Sequence, residues 1–77
     1  MIIKIKLLNG KVTPFEVEPQ EKIIDIKVRL QEKQGIEPDQ QRLVLNGRPL
    51  VDDKTVEESK IKEGAVLNLL LSLRGGY

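Results

Sequence analysis

Ile23-Ile24-Asp25-Ile26-Lys27-Val28-Arg29-Leu30-Gln31-Glu32-Lys33-Gln34 is the stretch of this chain whose apolar residues recur with a helical period. Ile23, Ile26 and Leu30 fall on one face, as an amphipathic helix requires. Glu18, Glu21 and Asp25 lie near its start and Lys33 near its end, which suits the helix dipole. Gly35 is a natural C-terminal stop, Ile36 supplies the accompanying hydrophobic contact, and Pro38 blocks continuation. Lys27 falls on the apolar face between Ile23 and Leu30. A lysine there is structural, paired with a carboxylate such as Asp52.

On both sides of this helix the period changes to that of strands. Met1 to Leu7 alternates, with Met1, Ile3, Ile5 and Leu7 on one phase and Lys4 and Lys6 on the other. Asn9-Gly10 signals a hairpin into Val12 to Val17, where Thr13, Phe15 and Val17 point inward. Pro14 cannot donate to a ladder, so this second strand belongs at a sheet edge. After the helix, Arg42 to Leu45 and Arg48 to Leu50 flank the turn Asn46-Gly47. Thr55-Val56-Glu57-Glu58 has capping-box spacing and opens a helical turn. Glu63-Gly64 turns the chain into Ala65 to Leu73, the longest strand candidate. The fold class is therefore α+β: one helix covers one face of one sheet, and the other face stays wet.

Seventy-seven residues make one small domain with a modest core. Thirteen basic residues against twelve acidic leave a net charge of +1, so no bulk field recruits nucleic acid or an anionic membrane. Cysteine and histidine are absent, which removes disulfides, thiolate nucleophiles and the commonest general base and metal ligand. No apolar run reaches bilayer length and no signal-peptide layout is present, so the chain reads as soluble and intracellular. Carboxylates are plentiful, but no catalytic constellation, cofactor motif or metal cluster accompanies them. An enzyme is the remotest reading.

The alternation also defines the wet face. With Leu43, Leu45, Leu67 and Leu69 turned to the helix, Arg42, Val44, Asn68, Leu70 and Ser72 point away, joined by Lys4, Lys6 and Arg48. Val44 and Leu70 are apolar where the pattern asks for polar, and Leu8 in the first turn lies beside them. Scattered surface apolar residues need no explanation, whereas three converging inside a basic rim often mark a partner site. On patterning alone the two readings carry equal weight.

Leu73-Arg74-Gly75-Gly76-Tyr77 ends the chain unusually. Paired glycines cost backbone entropy to order and add nothing to a core. Residues 1–72 are thus expected to form the folded domain and residues 73–77 a flexible tail used outside it. A disordered terminus would account for a lone glycine pair. Without Cβ atoms, such a pair also threads a narrow slot and offers its carboxyl carbon to a nucleophile.

Met1-Ile2-Ile3-Lys4-Ile5-Lys6, Gly35-Ile36, Pro38-Asp39-Gln40-Gln41-Arg42-Leu43, Asn46-Gly47 and Leu73-Arg74-Gly75-Gly76 together resemble ubiquitin, without gaps over nearly the whole chain. The resemblance implies a β-grasp fold, a mixed five-stranded sheet clasping one helix. It also implies a protein modifier whose Gly76 carboxylate is adenylated by an activating enzyme, passed as a thioester to a conjugating enzyme, and joined to target lysines with the help of ligases. Cullins are among the targets so implied, and cytoplasm and nucleus the places. A C-terminal hydrolase would first cut between Gly76 and Tyr77, and Ser72, Leu73, Arg74 and Gly75 would be the recognised tail. Catalytic residues would all belong to those enzymes; the modifier would work as a monomer without cofactor, metal or nucleic acid.

Lys4, Lys60, Gly64-Ala65-Val66-Leu67 and Ser72 resemble the related-to-ubiquitin (Rub, or Nedd-type) branch, where a small neutral residue replaces the arginine that ubiquitin has at Ser72. Asn68, Glu37 and Ser59 depart from both branches, and Gln31 is closer to ubiquitin. Arg48 and Glu63 stand where ubiquitin's main chain-building lysines fall, which leaves Lys6, Lys11 and Lys33 as candidate chain lysines. Two other readings remain, a divergent ubiquitin and a docking-only domain of a larger protein. Arg74-Gly75-Gly76 argues against the second, since docking alone does not need it.

Overall fold

The computed structural model describes residues 1–71. Five strands, β1 (Ile2–Lys6), β2 (Val12–Glu16), β3 (Gln41–Leu45), β4 (Arg48–Pro49) and β5 (Val66–Leu71), and one helix, α1 (Ile23–Gln34), make up the fold, with a short 3-10 helix at Pro38–Gln40. The sheet order is β2-β1-β5-β3-β4. β1 and β5 run parallel at the centre, and the other pairs are antiparallel. This is a mixed five-stranded β-grasp sheet. Pro14 sits opposite Lys4 on β2, an edge strand, where its missing N–H breaks no ladder.

The helix spans the residues that its period marks. Asp25 accepts a hydrogen bond from the Lys22 N–H at its start, at 3.3 Å. At its end Gly35 adopts φ 73° and donates its N–H to the Gln31 carbonyl at 2.8 Å. Glycine takes that left-handed conformation without the penalty a Cβ brings. Ile23, Ile26 and Leu30 pack fully buried against Ile3, Ile5, Leu43, Leu67 and Leu69 from the sheet, with Val56 and Ile61 closing one end. Arg29 ties helix to edge strand: Nη1 meets Glu21 Oε2 at 2.6 Å, Nη2 donates to the Glu16 carbonyl at 2.7 Å, and Cζ lies 5.0 Å from the Phe15 ring centroid.

Turns follow their sequence signals. Asn46 and Gly47 both take positive φ, 53° and 80°, as a two-residue hairpin demands. The capping box forms in full: Glu58 N–H donates to Thr55 Oγ1 and Thr55 N–H to Glu58 Oε1, each at 3.0 Å. It closes a single turn, with Ser59 N–H donating to the Thr55 carbonyl at 2.9 Å, and goes no further. Lys60 then enters the left-handed region at φ 61°, which stops the helix from propagating. β4 is shorter than its sequence run, yet Leu50 N–H still reaches the Leu43 carbonyl at 2.9 Å. The expected boundary between domain and tail, and the strand end at Ser72 and Leu73, lie outside the described residues.

Candidate functional site

The sheet face turned away from the helix is assembled by strand register. β5 carries Asn68 between Lys6 of β1 and Val44 of β3, and the hairpin places Pro49 on the far side of Val44. These four residues form one transverse row. Leu70 and Arg42 pair in the next row. Directly opposed side chains on one face sit about 5 Å apart at Cβ, so the rows make a continuous surface.

Leu8 follows two residues after Lys6, in a turn held by Leu7 N–H to the Lys11 carbonyl at 2.7 Å and Gly10 N–H to the Leu7 carbonyl at 2.9 Å. Leu8 is 49% exposed and Leu70 47%. Lys4, Lys6 and Arg42 are exposed and supply the basic rim. Arg48, expected on the same face, is instead paired with Leu45 and shares its inward phase, because successive residues of a strand alternate and Pro49 takes the position opposite Val44. Arg42, Val44, Asn68 and Leu70 thus occupy the wet side, and Leu8 is exposed in the turn that follows β1. Val44 and Asn68 are half-buried rather than exposed, because each is flanked on both sides by neighbouring strands. An apolar centre inside a cationic rim suits a protein partner that brings an apolar anchor with acidic surroundings.

Pro49 is the patch residue that patterning passed over. Its signal was present, because a two-residue Asn46-Gly47 hairpin fixes the register that sets Pro49 opposite Val44. Gln41 was passed over as well. It shares the inward phase of Leu43, is 3% exposed, and donates from Nε2 to the Lys27 and Ile36 carbonyls at 2.9 and 2.8 Å. It therefore ties both the helix and the segment that follows it to β3.

Among the lysines, Lys6, Lys11 and Lys33 are exposed, whereas Lys27 is buried. Lys27 Nζ lies 2.6 Å from Asp52 Oδ1, the pairing that its place on the apolar face requires. Among the described residues no group of three or more carboxylates could hold a metal ion. Ser72, Leu73, Arg74, Gly75, Gly76 and Tyr77 lie outside the described residues; Leu71, the last one described, pairs with Gln41 and is half exposed.

Residues 3–74 match the model of the ubiquitin family. The chain is 49% identical over 76 residues to Ubiquitin-like protein NEDD8 of Dictyostelium discoideum, with 99% of each chain covered. Identity to Ubiquitin-like protein 1 of Schizosaccharomyces pombe is 46% over 76 residues, covering 99% of this chain and 97% of that protein. NEDD8-like protein RUB1 of Saccharomyces cerevisiae is 43% identical over 76 residues, again with 99% of each covered.

Proposed function

Because the chain belongs to the ubiquitin family, we propose that it is a Rub or Nedd-type protein modifier, joined through its Gly76 carboxylate to lysines of other proteins. The observation that carries this reading is the near-complete overlap with NEDD8-type relatives at 43% to 49% identity. The chain's own Arg74-Gly75-Gly76 supports it.

The chemistry follows from the carboxylate. A Gly76 oxygen attacks the α-phosphorus of ATP, giving an acyl adenylate and releasing pyrophosphate. A cysteine thiolate of the activating enzyme then displaces AMP and forms a thioester. Transfer to a conjugating enzyme exchanges one thioester for another, and a target lysine amine finally displaces that thiol to form an isopeptide bond. Cullin ligases are a target class of this kind. The modifier contributes only the carboxyl carbon, the bare glycines that let it enter a narrow channel, and docking surface. The patch around Val44 and Leu70 would hold the activating and conjugating enzymes while the tail reacts.

The Gly76–Tyr77 peptide bond occupies the carbon that must react, so Tyr77 has to leave first. Loading should be measured with purified Rub and ubiquitin activating enzymes, ATP, and two forms of the chain, one of 77 residues and one ending at Gly76. The form ending at Gly76 should give a thiol-sensitive adduct on the Rub enzyme. The longer form should load only after a C-terminal hydrolase has removed Tyr77. An intact mass that shows Tyr77 still present on a loaded chain would refute the proposed chemistry.

A further inference from the structure

A groove of about 590 Å³ separates the β3–β4 hairpin from the turn that begins at Thr55. Leu45, Leu50 and Val51 form its apolar wall; Leu45 and Leu50 are half-buried and Val51 is 56% exposed. Ser59 faces them from the opposite wall, and its small side chain leaves the space between unfilled. Both walls are held by hydrogen bonds. Leu50 N–H bonds the Leu43 carbonyl at 2.9 Å, Lys54 N–H bonds the Val51 carbonyl at 3.1 Å, and the Thr55–Glu58 capping box fixes the far side. A preformed cleft loses little conformational freedom when it is filled, and its volume lies within the range of ligand sites.

Arg48, Lys54 and Lys60 line the same groove against a single carboxylate, Glu58. One oxygen of that carboxylate already accepts the Thr55 N–H. None of the three cations forms an ion pair among the described residues. The rim is therefore positively charged above an aliphatic floor. Single-stranded nucleic acid fits such a cleft poorly, because it needs aromatic rings to stack on. Phe15 is buried in the core instead.

We propose that this groove is a second docking surface, fitted to a peptide segment that seats one aliphatic anchor on Leu45, Leu50 and Val51 and sets acidic residues against Arg48, Lys54 and Lys60. Of the row around Val44, only Pro49 also lines the groove. A partner can therefore use this surface separately from the patch on the open sheet face. The inference does not depend on conjugation, since a chain that never reacts would bind the same peptide.

The test is an NMR titration of the folded chain with a short peptide in which Glu alternates with Leu. Controls are the same peptide with Lys in place of Glu, and an oligonucleotide of matching charge. Shifts should concentrate between Leu45 and Lys60 with the acidic peptide alone, and added salt should weaken the binding. Lys54→Glu with Lys60→Glu should lower affinity about tenfold or more. Ser59→Phe, which fills the cleft, should abolish binding while the chain stays folded, with an unfolding midpoint no lower than that of wild type. Shifts centred on Leu8, Val44 and Leu70, equal binding of either control, or no shifts at all would overturn the proposal.

Discussion

Lys27 Nζ sits 2.6 Å from Asp52 Oδ1, but the two partners differ in their access to water: the lysine side chain is 8% exposed and the aspartate 45%. The pair is therefore asymmetric. Without Asp52 the ammonium stays inside the fold with no counter-charge. Without Lys27 the carboxylate turns to solvent.

Asp52→Ala should accordingly destabilise the fold by roughly 1–3 kcal/mol, less than for a fully buried pair because water reaches this site. Lys27→Met keeps the buried aliphatic stem and removes the charge, so it should cost about 1 kcal/mol or less. Denaturant unfolding of both variants measures this. A Lys27→Met loss larger than that of Asp52→Ala would show that the ammonium makes a net favourable contribution beyond the pair. The same burial makes Lys27 a poor acceptor for an acyl group in the native fold.

Val44 is half-buried, with Asn68 on one side and Pro49 on the other. Truncation to alanine should cost about 1 kcal/mol of stability, below the loss from emptying a core site. Binding to the activating or conjugating enzyme should fall about tenfold if Val44 sits at the interface centre. Titration calorimetry and chemical unfolding separate the two effects. A stability loss above about 2 kcal/mol would place Val44 in the core and remove it from the patch.

Local signals in the sequence are most legible at the helix end and the turns, while strand bounds shift by a residue or so. The helix ends where Gly35 turns left-handed, Asn46-Gly47 adopts the paired positive φ that its hairpin needs, and Pro14 marks an edge strand. Lys27 and Asp52 were also legible, because a lysine on an apolar stripe demands a partner. Relationships between distant segments were harder to read. Nothing local announces that Lys4 lies beside Val66 in a parallel pair, and sheet order depends on such contacts. Gln41 precedes the strand run that starts at Arg42 in the sequence, and only the fold shows it buried, with its side chain joining helix to strand. The Val44 patch was legible because alternation assigns faces, whereas the groove was not, since its walls come from two segments that meet only in the fold.

Glu58 has its carboxyl pKa held below the usual 4.5, chiefly by the hydrogen bond from the Thr55 N–H. A depressed carboxylate contributes stability that is present above the unfolded value and is lost as pH falls through the folded one. Glu58→Gln keeps an acceptor but removes the charge. The stability gap between wild type and variant should therefore be largest above pH 4.5 and close as pH drops below the folded pKa. Unfolding midpoints measured across that window test it. A gap that stays constant with pH would mean that the capping box acts through hydrogen bonding alone.

Ser72 should select the activating enzyme if the chain follows the Rub pathway proposed above. It immediately precedes the tail, so an enzyme that grips Leu73 to Gly76 must also meet the side chain at this position. An arginine there carries a charge and a fork of donors, which only a site with matching acceptors accommodates. A site built for a small residue would clash with that arginine or bury it unpaired. Wild type should load onto the Rub activating enzyme and poorly onto the ubiquitin enzyme, and Ser72→Arg should shift loading towards the latter. Because each 1.4 kcal/mol corresponds to about tenfold in relative loading, one buried unpaired guanidinium costing 1–3 kcal/mol would move the ratio by roughly one to two orders of magnitude. Thioester formation by both forms on both enzymes, each ending at Gly76, measures that ratio. Equal loading of both forms by both enzymes would leave Ser72 without a selective role and favour a divergent ubiquitin instead.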